Sequence, residues 1–181
     1  MDRGDIEQRL APWEDALGPD RAAYTNHVLR VLEFCDALHL HGGGSVETRP
    51  SDREEFVVAA VFHDLGIWSD GTFDYLAPSI ERARADLAAT GHKSIEPMVS
   101  EMIDEHHKVR AAGEASSPVE IFRRADTIDV TFGLRRFGLP RSEYRRIAEQ
   151  YPDAGFHLRL VQLSGRRLVT KPLSPLPMFK W

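Results

Sequence analysis

Five side chains set the problem posed by this sequence: His27, His63, Asp64, His106 and Asp126. Each can ligate a metal or carry a proton, and each falls where the chain is otherwise apolar. The stretch "EEFVVAAVFHDLGIW", residues 54–68, is wholly apolar from Phe56 to Phe62 and then sets His63 beside Asp64. At about 100° per residue, His27 lies on the stripe formed by Tyr24, Val28, Val31, Leu32, Cys35 and Leu38. His106 lies near the centre of the stripe of Ile95, Met98, Val99, Met102 and Ile103, with His107 at its edge. Phe122, Ala125, Asp126, Asp129 and Phe132 share a further face.

A buried carboxylate without a partner costs several kcal/mol, so it must be paired, protonated or bound to a metal. Taken singly, each residue has an ordinary explanation. A buried histidine bonds a backbone carbonyl, and a buried aspartate caps a helix or meets an arginine. Taken together, the five are also explained by one cation among them. Imidazole nitrogen and carboxylate oxygen suit a divalent transition metal such as Zn, Fe, Mn, Ni or Co, as one or two ions. Spacing alone leaves both readings open.

These residues must be positioned by helices. A first, weak helix is expected from about Ile6 to Leu17, interrupted at Pro12, and a second from about Pro19 to Leu40, stopped by "HGGG". A third starts after Pro50, with Ser51 or Asp52 as cap and Glu54 and Glu55 in its first turn, and ends near Gly66. Others are expected over about Pro78–Ala89, Ser94–Val109, Pro118 to about Gly133 (behind Ser116 and Ser117), Arg141–Gln150 and Gly155–Leu163. No segment alternates as a strand should, so the expected class is all-α, a single helical bundle. The expected layout is an N-terminal helical segment over 1–18, the bundle over 19–164 and a proline-rich tail over 165–181.

The chain has 181 residues, 42% hydrophobic and 28% charged, as an ordinary globular domain does. No apolar run approaches the roughly 18 residues that span a bilayer, and the polar start "MDRGDIEQRL" is unlike a secretory signal. The lone Cys35 cannot form an internal disulfide, which fits a cytoplasmic protein. A net charge of −5 argues against nucleic acid as partner. The charge is uneven: residues 1–107 hold 9 Lys and Arg against 21 Asp and Glu, and residues 108–181 hold 14 against 7. Either oppositely charged surfaces pair within the fold, or the second half serves an anionic ligand. Phe179 and Trp181 in the tail need a surface to cover them and leave a homo-oligomer open.

In order, His27, then His63-Asp64, then Asp126 resembles the H…HD…D signature of the HD superfamily of metal-dependent phosphohydrolases. "FHDLG" and "RRADTID" resemble the settings of that family's second and fourth motif elements, and "MIDEHHKVR" resembles the histidine-bearing helix of its two-metal members. The resemblance spans about residues 20–135. It implies an all-α bundle with metal held between helices. His27, His63, Asp64 and Asp126 would ligate one ion, and His92 and His106 would ligate a second, with His107 competing for the place of His106. Asp64 would bridge the two.

The activity so implied is hydrolysis of a small phosphate ester, nucleotide-like or another small anionic metabolite, by metal-activated water. Asp64 and Asp129 are the candidate catalytic carboxylates, Asp129 as a general base or as support for a ligand. Lys108, Arg123 and Arg124 are candidate phosphate contacts, and Trp68, with Phe73 and Tyr75, could line or cover the pocket. The sequence departs from some branches. Ile67 stands where cyclic-dinucleotide phosphodiesterases of the superfamily carry lysine, no GYP motif follows, and the chain is too short for the guanosine-polyphosphate enzymes. The alternative is a non-hydrolytic branch, a di-iron oxygenase or a hydro-lyase resembling cyanamide hydratase.

Overall fold

The computed structural model describes residues 3–170, apart from the side chains of residues 166, 169 and 170. It is all-α, with no strand among the described residues. The α-helices are α1 (Arg3–Leu10), α2 (Glu14–Leu17), α3 (Arg21–His41), α4 (Glu54–Phe62), α5 (Gly66–Ser69), α6 (Leu76–Thr90), α7 (Glu96–Glu105), α8 (Pro118–Val130), α9 (Arg141–Gln150) and α10 (Phe156–Thr170). No helix is long and apolar enough to cross a membrane among these residues.

A helix apolar on every side belongs at the centre of a fold. Every residue of α4 from Phe56 to Phe62 is buried. Helices α3 and α7 pack against it, and α8 lies across both α3 and α7. One contiguous core runs through the molecule, from Ile6 and Leu10 of α1 to Phe156 of α10. The four helices that carry the chemically active residues are therefore the four that meet in the middle.

Several ends differ from expectation for local reasons. Ser51 does not cap α4. Arg53 occupies that position without a side-chain bond, while the Ser51 hydroxyl and amide both donate to Asp36 of α3, at 2.6 and 2.8 Å. The turn before α4 is thereby tied to α3. Helix α7 stops at Glu105, short of the expected Val109, and places His106 and His107 in the turn that follows. Helix α10 runs on to Thr170, past the expected Leu163 and past the start of the expected tail. Residues 171–181 of that tail lie outside the described residues. Ser117 does cap α8, accepting from the Glu120 amide, with Pro118 in the first turn.

Two contacts fix the turns beside α4 and α7. Gly66, two residues after Asp64, has the backbone carbonyl of Tyr75 2.7 Å from where a Cβ would stand, and its amide donates to the Ser79 hydroxyl at 3.0 Å. Only glycine lets the segment around Tyr75 come so close. Glu120 is fully buried. It accepts from Arg123 at 2.7 Å, from Arg124 at 2.6 Å and from the Ala112 amide at 2.9 Å, while Arg123 also donates to the Lys108 carbonyl at 3.0 Å. This cluster fastens residues 108–112, which follow the two histidines, to the start of α8.

Burial opposes the Glu120 charge, but the bonds from Arg123, the Ala112 amide and Arg124 override it and hold the carboxyl at about 2. A pKa depressed on folding stabilises the fold above the unfolded value of about 4.3, and that stability is lost as pH falls towards the folded value. Glu120→Gln should therefore cost roughly 3–5 kcal/mol near pH 7, because it strands a buried arginine. Urea melts should show the gap between variant and parent narrowing from about pH 4 down to about pH 2. A gap that stays constant over that range would refute the assignment.

Candidate metal centre

The centre is built on α3, the C-terminal end of α4, the turn after α7, and α8. His27 and His63 face each other with their Nε2 atoms 2.8 Å apart. Each has its other nitrogen committed to a group that can only accept. His27 Nδ1 donates to Asp129 Oδ2 at 2.7 Å, and His63 Nδ1 donates to the Ala60 carbonyl at 2.8 Å. When both rings are neutral, they direct two lone pairs at one point. Asp64 Oδ2 stands 3.7 and 3.6 Å from these two nitrogens, and Asp126 Oδ1 stands 3.8 and 3.7 Å from them.

A second group of donors adjoins the first. His106 Nε2 lies 3.3 Å from Asp64 Oδ1, and its Nδ1 donates to the Ile103 carbonyl at 2.6 Å. His107 Nδ1 lies 3.7 Å from Asp126 Oδ2, and its Nε2 meets the Tyr75 hydroxyl at 2.5 Å. Each aspartate thus turns one oxygen to the His27–His63 pair and the other to the His106–His107 pair. Sequence alone set His106 and His107 against each other, and the turn after α7 brings both to the centre.

These atoms fit a cation better than they fit one another. His27, His63, Asp64, His106 and Asp126 are at most 1% exposed. Asp64 Oδ1, both Asp126 oxygens and His106 Nε2 are buried without a hydrogen-bond partner, an arrangement that costs several kcal/mol unless a positive charge compensates it. Donors held about 2.0–2.2 Å from one ion stand roughly 3–3.5 Å apart, close to the separations above. The electrostatics point the same way. Burial lowers the basicity of His63, yet the carboxylates of Asp64 and Asp126, with the Ala60 carbonyl, outweigh it and raise His63 to about 9. Against the burial that would raise them, both aspartates are pulled below their ordinary range by the surrounding histidines. The site therefore demands positive charge. Within 4.8 Å, the sets His27–His63–Asp126, His63–Asp64–His106 and His106–His107–Asp126 could each hold a metal ion.

The other expected residues lie elsewhere or have other tasks. His92 is outside the centre: its ring is half exposed at the far end of α6, 3.5 Å from Glu54, so it cannot hold a second ion with His106. Asp129 is not placed as a general base. Arg30 clamps both of its oxygens, at 2.6 and 2.9 Å, while one of them also holds His27. Burial opposes the Asp129 charge, but His27 and Arg30 keep the carboxyl at about 2. It orients His27 rather than taking protons.

The three proposed phosphate contacts are bound to carboxylates instead. Lys108 pairs with Glu105 at 2.7 Å, Arg123 is buried on Glu120, and Arg124 bonds Glu120 while lying over Phe137. Trp68 stands behind the centre, its ring 4.8 Å from Tyr24 and its Nε1 donating to Asp20 at 2.9 Å. Three contributors were not assigned from sequence. Arg30 is one turn beyond His27 on the same face of α3, a spacing that could have drawn attention to it. Phe156 stacks on His27 at 4.0 Å, and His157 reaches the Asp129 carbonyl at 2.9 Å. Tyr75, expected to line or cover the pocket, is 2% exposed and stands against His107.

If this geometry describes the ligands, replacing either histidine of the turn should remove one ion and spare the other. His106→Ala and His107→Ala should each bind one divalent cation per chain where the parent binds two, and His92→Ala should still bind two. Elemental analysis after dialysis, on protein purified without a histidine tag, checks all three. Loss of an ion in His92→Ala would overturn the placement.

Neither a search of curated proteins nor one of solved structures finds a match to this chain. The HD domain family does match it, over residues 24–131, a span that begins at Tyr24 in α3 and runs past the end of α8, and so includes every candidate ligand. That is more than half of the chain, and it coincides with the helices that build the centre: the chain belongs to the HD domain family.

Proposed function

We propose that this chain is a metal-dependent hydrolase acting on a small phosphate ester. The observation that carries the reading is the way Asp64 and Asp126 each offer one oxygen to either histidine pair, so that these residues could hold two ions side by side. Paired ions of this kind, about 3.5–4 Å apart, clamp the attacking and leaving oxygens of phosphoryl compounds and lower the pKa of bound water.

The protein's own contribution is preorganisation. His27, His63 and His106 are locked with Nε2 as the lone pair by acceptors on their other nitrogens. The Arg30–Asp129 clamp keeps the His27 ring in place from behind, and Phe156 holds its face. Near-complete burial strengthens every charge interaction there.

Charge balance supports an anionic substrate even though Lys108, Arg123 and Arg124 are engaged elsewhere. Asp129 is neutralised by Arg30, so the centre carries two carboxylate charges. Two divalent cations would leave about two positive charges, matching a phosphate monoester, which carries nearly two negative ones.

The test is a panel of phosphate monoesters assayed with Zn, Mn, Fe, Co or Ni. Turnover should vanish with a chelator and return with metal, and Asp64→Ala should lower kcat/KM by at least about a hundredfold with loss of bound metal. Lys108→Met should change kcat/KM less than about fivefold, because its ammonium is held by Glu105 and a partly exposed ion pair is worth about 1 kcal/mol. A protein that binds two ions and turns over none of the panel would overturn the reading. Iron content with an oxygen-sensitive visible spectrum would then favour the oxygenase branch, and neither would favour a hydro-lyase.

A further inference from the structure

Three of the four histidines at the centre present Nε2 and give Nδ1–H to a group that only accepts: a carboxylate for His27 and carbonyls for His63 and His106. Their tautomers follow without choice. His107 is turned the other way. Its Nδ1 faces Asp126 Oδ2 and its Nε2 faces the Tyr75 hydroxyl. A hydroxyl both donates and accepts, so this contact alone permits two arrangements. If Tyr75 donates to Nε2, the ring proton sits on Nδ1 and points at Asp126, and His107 cannot ligate. If Tyr75 accepts from Nε2–H, Nδ1 carries its lone pair towards Asp126 and the second cation position is complete.

His107 reaches the donors of its group through Nδ1, which stands 3.7 Å from Asp126 Oδ2. Ligation there needs the Nδ1 lone pair and leaves the ring proton on Nε2, where the Tyr75 oxygen, 2.5 Å away, is placed to accept it.

We infer that Tyr75 is a positioning residue for the second cation: by accepting from His107 Nε2–H it sets the ring in the tautomer whose Nδ1 ligates. The inference rests on the metal reading above and extends it to a residue outside the ligand set. It also separates the two positions. The His27–His63 position has rings fixed by groups that can act in only one way, and the His106–His107 position has one ring fixed by a group that can act in two.

The experiment is a zinc titration of the metal-stripped full chain by calorimetry, parent against Tyr75→Phe. Phenylalanine keeps the ring and removes the hydroxyl that faces His107 Nε2. The first zinc should bind as in the parent and the second about 10- to 100-fold more weakly, the usual cost of losing a partner of a metal-ligating histidine. Parent-like binding of both ions, or equal weakening of both, would overturn the inference.

A second measurement needs no variant. In the zinc-loaded parent, long-range proton–nitrogen spectra should place the His107 proton on Nε2, with Nδ1 shifted by coordination. A proton on Nδ1 would overturn the inference even if Tyr75→Phe failed to fold. If the parent takes up no zinc, the metal reading falls and this inference with it. If it takes up two and is indifferent to Tyr75→Phe, this inference alone falls.

Discussion

Two buried aspartates facing four imidazoles form the constraint on which the rest of this structure depends. Asp64 and Asp126 are almost inaccessible, and three of their four oxygens lack a hydrogen-bond partner. Negative charge in a core is tolerated only with compensation. Compensation can come from a proton on His63, whose basicity is raised to about 9, or from a cation that replaces it. The third buried aspartate shows the contrast. Asp129 has Arg30 beside it and is satisfied within the protein, which suits it to hold a ring in place rather than to receive an ion.

The fold follows from putting these groups at one point. Helix α4 is apolar on every side because it runs through the middle and delivers His63 and Asp64 at its end. Helix α3 brings His27 and α8 brings Asp126, and the Arg30–Asp129 clamp ties those two helices together beside the centre. The turn after α7 is held from the far side by Glu120 and Arg123. The arginines beside Asp126 in sequence therefore serve the architecture.

Much of this was legible in the sequence where periodicity governs. His27 and Asp126 sit on apolar stripes, and the end of α4 is marked by its composition, so their convergence could be anticipated. The order of the motif named the family. What could not be read depends on where helices stop and which way turns point. His106 and His107 were set against each other because a continuous helix would direct only one inward; the end of α7 at Glu105 lets both reach the centre. His92 looked like a ligand by order alone, but the left-handed turn at Gly91, φ 79°, ends α6 and leaves it beside Glu54. Arg123 and Arg124 are near Asp126 along the chain, but the face of α8 they occupy looks towards Glu120. Tyr75 was marked only as a ring that could cover the pocket; its bond to His107 depends on the path of an irregular stretch.

The spacing of the donors along the chain has a kinetic meaning. His63 adjoins Asp64, and His106 adjoins His107, so half of each cation position is present even in an unfolded chain. His27 and His63 are 36 residues apart, whereas His27 and Asp129 are separated by 102. The entropy of closing a loop grows with the logarithm of its length, so the second closure costs about 1 kcal/mol more than the first. Docking of α8 onto α3 is thus the long-range step that finishes the pocket, and contacts of such separation slow folding. An ion captured early by a neighbouring pair would be held loosely until α8 arrives with Asp126, which makes completion of the centre a late event in the maturation of the protein.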